Sequence, residues 1–498
     1  MMPLKTIDDQ KSLNDLLEKV KSYRPQADLE LIKKAYSFAR QAHGGQLRFN
    51  GNPFFKHPLK TAKTLVELRV DEKAIAAALL HDVCEDTQTS LKVIQKMFGK
   101  EVAFLVEGVT KLTDLKFQLG KEDYLVENLR RMILAMAKDI RVLLIKLADR
   151  LNNLETLEVL PLEKQKTIAQ ETLEIYAPLA QRLGMGGMKG VLEDLAFPYV
   201  YPKEHTWVKL YSRPRYREME DYLKRVKRVV NKALDKAGVE AEVHARAKHL
   251  FSLYKKLLVK DKNLDKIYDL VAMRVIVKTV EECYMVLGII HKMWKPLLAM
   301  VKDYIALPKP NGYRSLHTTV FCLDGRIVEF QIRTRQMHAE AENGIAAHWY
   351  YSEQKAKGKS EKELKAGFKV PLDAFSWVKR LSSWQKEIGD NSEFLEDLKI
   401  DAFSDRIFVL TPKGEVVDLP DNSTPVDFAY AIHTEIGDSC VGAKVNGKLV
   451  ELSHHLQNQD IVEILTSKQQ KKPKHDWLKF VVTTHAKGAV RKALKESD

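Results

Sequence analysis

The chain has 498 residues, and the usual size of about 100 to 200 residues per domain suggests roughly three domains. Its 45 % hydrophobic and 30 % charged residues describe an ordinary soluble globular protein, and 81 basic against 67 acidic residues leave a net charge of +14 that attracts polyanions such as nucleotides or RNA. Cys84, Cys283, Cys322 and Cys440 form no CxxC pair, which argues against a disulfide frame or structural zinc. The polar start does not read as a signal peptide, and no apolar run nears the roughly 18 residues of a membrane span, so the expected location is the cytoplasm, with no membrane partner.

From about Ser12 to Tyr199 apolar residues recur at spacings of three and four, which predicts an almost wholly helical region. The stripe Leu31, Ala35, Phe38, Ala39 and Ala42 delivers His43 to a helix end before the turn-rich segment Gly44 to Pro53. Pro58 suits the first turn of the next helix, with His57 at its entrance. The stretch Leu79-Leu80-His81-Asp82-Val83-Cys84-Glu85-Asp86-Thr87 then places an imidazole among three carboxylates. If it is one helix, His81 and Glu85 stand four apart, as do Asp82 and Asp86, and all four share one broad face. Carboxylates so crowded repel one another unless a cation sits among them, which points to a divalent-metal hydrolytic site; a solvated acidic turn is the plainer alternative. Farther on, Asp149 interrupts the apolar run Ile145 to Leu154. By itself Asp149 can pair with Arg150 at the surface, and His57 can be a capping residue. The order of a lone His, an adjacent His-Asp and a distant Asp nevertheless supplies two imidazoles and two carboxylates, suited to an ion such as manganese or magnesium.

Between Tyr176 and Tyr201, Gly184, Gly186, Gly187 and Gly190 predict a loop between two helices or a hinge between two halves of the chain. A long charged helix is expected from about Met219 to Gly238. Strands follow at Met273 to Val277 and Arg326 to Arg333. In the second strand a period of two puts Val328, Phe330 and Ile332 toward a core, and Glu329, Gln331 and Arg333 on a polar, available face.

Around that strand lie Arg246, Lys248, His249, Lys255, Lys256, Lys302, Lys309 and His317, residue types that neutralise phosphate, while the Asn311-Gly312 turn can present Tyr313 as a stacking surface. A basic surface would explain the lysines but not Asp269 and Glu329 among them, because phosphoryl transfer needs carboxylates to hold a divalent ion against the phosphates. Glu353 to Lys369 reads as a charged linker or exposed helix, and a helical segment with Trp377 and Trp384 follows. Asp405 to Pro420 reads as a hairpin turning at Pro412 to Gly414, Thr424 to Ile436 as a helix, and Ala443 to Leu465 as short strands. The basic tail from Lys468 to Lys495 reads as a solvated helix.

His57-Pro58, His81-Asp82 and Asp149 in this order resemble the HD phosphohydrolase superfamily. More specifically, Gln46-Leu47-Arg48, Leu80 to Thr87 and Lys146 to Leu151 resemble the hydrolase half of the RelA/SpoT homologue family, enzymes of the alarmone (p)ppGpp. The resemblance implies that His57, His81, Asp82 and Asp149 hold manganese and that Glu85 and Asp86 position or deprotonate the attacking water. It places Arg48 over the guanine and lets Asn153 and Thr156 line the pocket. Asn311-Gly312-Tyr313, Ser315 to Thr318, Glu329 with Gln331 to Thr334, and Ala346 to Trp349 resemble the synthetase half, which moves a pyrophosphate from ATP to the 3′-hydroxyl of GDP or GTP. By that resemblance Asp269 holds magnesium, Glu329 binds the metal or acts as base, and Tyr313 stacks on the guanine. Arg246, Lys248, Lys256, Lys302, Lys309, Asn311 and His317 complete the nucleotide site. Bifunctional members usually carry Arg-x-Lys-Asp where this chain has Met300-Val301-Lys302-Asp303. The segment from Asp405 resembles the TGS domain, whose Ala431-Ile432-His433-Thr434 makes His433 a contact for uncharged tRNA and, through it, the ribosome.

The expected fold is therefore multidomain, α and α+β. It comprises an all-helical HD hydrolase domain (1–200), a nucleotidyltransferase-like mixed-sheet synthetase domain (201–352), a charged linker with a helical segment (353–402), a small β-grasp TGS domain (403–467) and a basic tail (468–498). Long members of the family continue beyond this point with regulatory regions, so ribosome-dependent control is not assumed here.

Overall fold

The computed structural model describes residues 6–110, 130, 134–135, 138–267, 270–309, 311–347, 406–467 and 473–495. The described residues up to 347 form one compact unit and those from 406 a second. The expected linker and its helical segment, 353–402, lie outside the described residues, as do Asp269, His348 and Trp349.

The first unit begins with helices α1 (Thr6–Tyr23), α2 (Leu29–Ala42), α3 (Lys56–Glu67), α4 (Glu72–Leu80), α5 (Val83–Asp86), α6 (Leu91–Thr110), α7 (Arg141–Glu155), α8 (Leu162–Glu171), α9 (Ala177–Arg182) and α10 (Gly186–Val200). Helix α4 starts where the Asp71 carboxylate accepts from the amides of Lys73 and Ala74, satisfying donors that have no partner within the helix. Every residue from Ala74 to Leu80 is buried, and the short alanine side chains let α2, α3, α6 and α7 approach closely. Buried Arg141 at the start of α7 pairs with Asp71 at 3.1 Å, Asp139 at 2.6 Å and Glu101 at 2.8 Å, which ties α4, α6 and α7 together.

The glycine-rich stretch departs from a plain loop. Only Gly184 occupies a left-handed turn, with φ of +74°, whereas Gly186, Gly187 and Gly190 lie inside α10. There they serve close packing. A Cβ on Gly190 would meet the His249 ring at 2.3 Å, and one on Gly187 would meet the Glu342 carboxylate at 2.9 Å. The charged helix is also longer than expected: α11 runs from Pro202 to Lys236 and continues through Pro214.

A mixed sheet follows, built from β1 (Glu242–Ala247), β2 (Val271–Val277), β3 (Lys302–Asp303), β4 (Leu316–Phe321) and β5 (Ile327–Thr334), with helices α12 (Leu250–Val259), α13 (Val280–Met293) and α14 (Arg335–Asn343). The strand order is β1-β2-β5-β4-β3; β2 and β5 are parallel and the other pairs antiparallel. One face is apolar: Met273, Val275, Val328, Phe330 and Ile332 share a core with Val226 and Val230 of α11 and with Val286 and Ile290 of α13. Because cross-strand partners share a face, the pairs His244 with Arg274, Arg274 with Gln331, Gln331 with His317, and His317 with Lys302 put a row of polar side chains on the opposite face. Arg333 belongs to that face by alternation, but it is not available to solvent as expected. It is fully buried, because α14 lies across the end of β5.

The second unit contains β6 (Arg406–Leu410), β7 (Val416–Pro420), α15 (Pro425–Ile432), α16 (Thr434–Asp438), β8 (Cys440–Val445), β9 (Lys448–Val450), β10 (Val462–Thr466) and α17 (Thr484–Lys495). Strands β6 and β7 form the expected hairpin, with Gly414 at φ of +83° in its turn, and a parallel bridge from Leu410 to Ile461 joins it to the sheet β10-β8-β9. The single helix expected from Thr424 to Ile436 is two, since His433 is extended at φ −164° and ψ 142° and starts α16. The tail is more than a solvated helix: Trp477, Val481, Ala486 and Val490 are buried against Val426, Ala429 and Tyr430. Asp427 anchors it. This fully buried carboxylate accepts from the Thr424 amide and hydroxyl and, across the sequence, from the amides of Val482 and Thr483 at 3.0 and 2.7 Å. Asp427→Ala leaves those donors unmet, and a loss of about 3 kcal/mol is expected for this unit, read by denaturant unfolding; a loss under about 1 kcal/mol would show that the tail does not depend on the carboxylate.

Candidate active sites

The first site forms where the entrance of α3, the break between α4 and α5, and the middle of α7 converge. The segment Leu79 to Thr87 is not one continuous helix: α4 ends at Leu80, and His81 and Asp82 sit in the turn before α5. The four residues therefore do not share one helical face. His81 is buried beside Asp82, whereas Glu85 and Asp86 lie at the exposed rim.

His57 Nε2 lies 3.1 Å from the Asp149 carboxylate and 3.4 Å from that of Asp82, and His81 Nε2 lies 2.9 Å from Asp82 and 3.9 Å from Asp149. The ligand atoms of His57, His81 and Asp149 all fall within 4.8 Å of one another, close enough for one ion. The far sides of both rings are engaged. His57 Nδ1 donates to Asn152 Oδ1 at 2.9 Å, and His81 Nδ1 donates to the Ala78 carbonyl at 2.8 Å. Those bonds fix the tautomer that turns each Nε2 lone pair inward, and the buried His81 Nε2 has no well-aligned hydrogen-bond partner. The set fits a divalent cation.

Electrostatics agree with that assignment. Burial would raise Asp149, but Lys146 at 2.9 Å and then His57 hold it well below the carboxylate range. Burial likewise opposes a charge on His81, yet Asp82 and then Asp149 raise it to about 9, which marks the strongly negative surroundings that a cation would meet. Partial desolvation and the Asp82 charge raise Asp86. Arg48, on the turn before α3, reaches Asn153 at 3.0 Å and Thr156 at 3.3 Å, and its guanidinium lies 5.9 Å over the Phe54 ring. Arg150 does not pair with Asp149; it bonds Glu171 at 3.0 Å and stacks on Tyr176 at 4.1 Å. Sequence reasoning missed Lys146 and Asn152. With Asp149, Asn153 and Thr156 they form a polar stripe at spacings of three and four along an otherwise apolar helix, and that was the available signal.

The second site is the polar face of the mixed sheet. Tyr313 follows the Asn311-Gly312 turn, in which Gly312 has φ of +78° and the Tyr313 amide donates to Asn311 Oδ1 at 3.2 Å. Lys309 Nζ lies 4.7 Å from the Tyr304 ring and 5.4 Å from that of Tyr313, and burial followed by the charge of Lys302 lowers its pKa. His317 Nδ1 contacts Glu329 at 2.8 Å. Lys248 and His249 sit at the start of α12, where the Asp194 carboxylate of α10 accepts from the Phe251 amide at 3.0 Å and from His249 at 2.8 Å; Lys256 is exposed on α12.

Sequence reasoning named Arg246 and put Arg333 on the polar face, but it missed Arg274 and the gathering of all three at the centre of this face. Arg246, Arg274 and Arg333 surround one carboxylate, Glu342, at 4.0, 3.0 and 4.0 Å. No nitrogen of Arg333, and neither Nε nor one terminal nitrogen of Arg274, has a hydrogen-bond partner although all are buried. Burial, and then the neighbouring Arg333, push Arg274 down to about 10, and burial followed by these two arginines lowers His338 to about 4. Such a cluster suits a polyanion. The signal was a lone arginine inside each of two apolar strands.

A helical domain with a divalent-ion site, joined to a mixed sheet with a cationic face and to a small β domain, is the class of protein that these observations define. Models of three protein regions match in the same order: the HD domain at residues 35–186, the region found in RelA / SpoT proteins at 245–356, and the TGS domain at 407–466. The chain is 47% identical over 479 residues to a GTP pyrophosphokinase of Myxococcus xanthus, covering 96% of this chain and 62% of that one. It is 47% identical over 490 residues to a guanosine-3′,5′-bis(diphosphate) 3′-pyrophosphohydrolase of Aquifex aeolicus, covering 98% and 68%. It is 45% identical over 468 residues to a bifunctional (p)ppGpp synthase/hydrolase of Mycobacterium tuberculosis, covering 94% and 63%. The chain belongs to the RelA/SpoT family, and it spans roughly three-fifths to two-thirds of the length of these relatives. Among its described residues no helix is long and apolar enough to cross a membrane.

Proposed function

We propose that the chain is a bifunctional alarmone enzyme of the cytoplasm. Its residues 201–352 transfer pyrophosphate from ATP to the 3′-hydroxyl of GDP or GTP, and its residues 1–200 remove that pyrophosphate from (p)ppGpp. The observation that carries the reading is the presence, in one compact unit, of an imidazole–carboxylate ion site and a separate cationic sheet face ending in Glu329.

In the hydrolytic site His57, His81, Asp82 and Asp149 would hold manganese, which supplies an activated water near neutral pH. Glu85 and Asp86 orient that water and take its proton, and the raised pKa of Asp86 suits the task. Arg48, held by Asn153 and Thr156, faces the guanine. In the synthetic site Asp269 would hold magnesium, and Glu329 would bind the metal or take the proton of the 3′-hydroxyl as base. The cluster of Arg246, Arg274 and Arg333, with Lys248 and Lys256, neutralises the ATP phosphates, while Tyr313, Asn311, Lys302, Lys309 and His317 hold the acceptor nucleotide. In the second unit, residues 403–467 with the tail 468–498 present His433, whose side chain is 61% exposed, to the acceptor end of uncharged tRNA and so to the ribosome.

Two assays test the reading: ATP with GDP or GTP and magnesium, and ppGpp with manganese. Asp269→Ala is expected to lose only synthesis and Asp82→Ala only hydrolysis, each by about 100-fold or more. No synthesis by the unaltered chain would confine the function to hydrolysis, and no release of pyrophosphate in the second assay would overturn the hydrolytic half.

A further inference from the structure

His317 lies between the residue assigned to the guanine and the carboxylate assigned to the 3′-hydroxyl. Tyr313 Oη is 2.8 Å from His317 Nε2, and His317 Nδ1 is 2.8 Å from Glu329 Oε1. A carboxylate only accepts, so a neutral His317 carries its proton on Nδ1, and its Nε2 accepts from the phenol. The hydrogen bonds therefore run in one direction, from Tyr313 through His317 to Glu329.

The backbone sets this up. In the antiparallel pairing of β4 with β5, His317 opposes Gln331 and Thr319 opposes Glu329, so His317 and Glu329 are diagonal neighbours on the polar face. Their side chains are only 17% and 15% exposed, which limits competition from water. The Tyr304 ring meets His317 edge-on at 5.4 Å, Lys302 opposes His317 in register, Lys309 lies over Tyr304 and Tyr313, and Gln331 Nε2 is 3.4 Å from the same Glu329 oxygen.

We propose that His317 is a positioning residue for pyrophosphate transfer. Its Nδ1–H fixes one oxygen of Glu329 so that the other is directed to the ribose, and its Nε2 holds the hydroxyl of the stacking ring. Recognition of the base is thereby tied to placement of the carboxylate. This rests on the synthetic reading above, in which the 3′-oxygen bonds to the β-phosphorus of ATP, the bond from that phosphorus to the α–β bridging oxygen breaks, AMP leaves with that oxygen, and the 3′-hydroxyl proton passes to Glu329. An enzyme built this way draws kcat, and not only KM, from contact with the base.

The test compares Tyr313→Phe, His317→Gln and His317→Ala in the full chain, with ATP and GDP, by steady-state kinetics. Tyr313→Phe keeps the ring and removes the hydroxyl; kcat is expected to fall about tenfold while KM for GDP changes by less than about twofold. His317→Ala is expected to lower kcat about 100-fold while KM for GDP changes by less than about threefold. Glutamine restores a donor and should recover part of the loss. The double variant Tyr313→Phe/His317→Ala should be no slower than His317→Ala. A raised KM with unchanged kcat, additive losses, or no recovery with glutamine would each overturn the proposal. Absence of synthesis by the unaltered chain is a separate result that removes the synthetic reading itself. Thermal unfolding of each variant separates a misfolded protein from a mispositioned carboxylate, and Tyr313→Phe, the mildest change, keeps the proposal open to refutation if His317→Ala does not fold.

Discussion

In the proposed hydrolytic site, Asp149→Asn is expected to abolish manganese binding and lower ppGpp hydrolysis by about 1,000-fold, whereas Glu85→Gln and Asp86→Asn are expected to bind the ion normally and slow hydrolysis by about 100-fold. The difference follows from position. Asp149 is buried, 3.1 Å from His57 Nε2, and within ligand distance of both rings, while Glu85 and Asp86 lie at the rim. Asp149 also pairs with the buried Lys146 at 2.9 Å, so its neutralisation removes a buried ion pair and costs roughly 3 kcal/mol of stability. The double variant Lys146→Met/Asp149→Asn removes both charges and should recover stability without recovering the ion. Calorimetric titration with manganese decides the matter: binding retained by Asp149→Asn would show that this cluster is not the ion site, and binding lost in Glu85→Gln would erase the division of labour.

Gly344→Ala is expected to destabilise the first unit by about 3 kcal/mol or more and to weaken the coupling proposed here between its two sites. Gly344 has φ of +53° and ψ of −128°, and a Cβ there would lie 2.1 Å from the Leu183 carbonyl and 2.6 Å from the Met185 nitrogen. The next amide, Ile345, donates to that same carbonyl at 3.0 Å. A Cβ on Gly184 would lie 2.9 Å from the Asn311 carbonyl, so the turn that ends the hydrolytic half touches the loop that presents Tyr313 and the segment that carries Glu342. We infer that these contacts make the two activities oppose each other, since both running together would only consume ATP. Synthesis measured with and without a ligand of the hydrolytic site should differ in the unaltered chain, and the difference should shrink in Gly344→Ala and in the milder Gly187→Ala. Equal coupling in all three would refute this role.

Much of the architecture was legible because its signals are local. The apolar spacing of the first 200 residues, the alternation of Val328, Phe330 and Ile332, and the Pro412 to Gly414 turn each specify an element without reference to the rest of the chain. Failures came where tertiary partners decide. Leu79 to Thr87 has the composition of one helix, but drawing His81 and Asp82 toward Asp149 interrupts it. His433 breaks an expected helix by capping the next one through Nδ1 at 3.3 Å. Arg333 has the alternation of an exposed residue, and only the placement of α14 buries it. In the site, residues of unusual type for their surroundings, such as His81 and Glu329, stood out. Asn152 and Lys146 act through a neighbour, and only their place in the polar stripe of α7 marks them.

The arginines around Glu342 have a thermodynamic consequence. Arg246, Arg274 and Arg333 share the single carboxylate of Glu342, so a polyphosphate seated there supplies the negative charge that three cations otherwise draw from one group. Such a ligand then acts as a folding cofactor: at about 100 times its dissociation constant it adds roughly 2.7 kcal/mol to the stability of the folded chain. The melting temperature of this protein should consequently rise with the concentration of ATP.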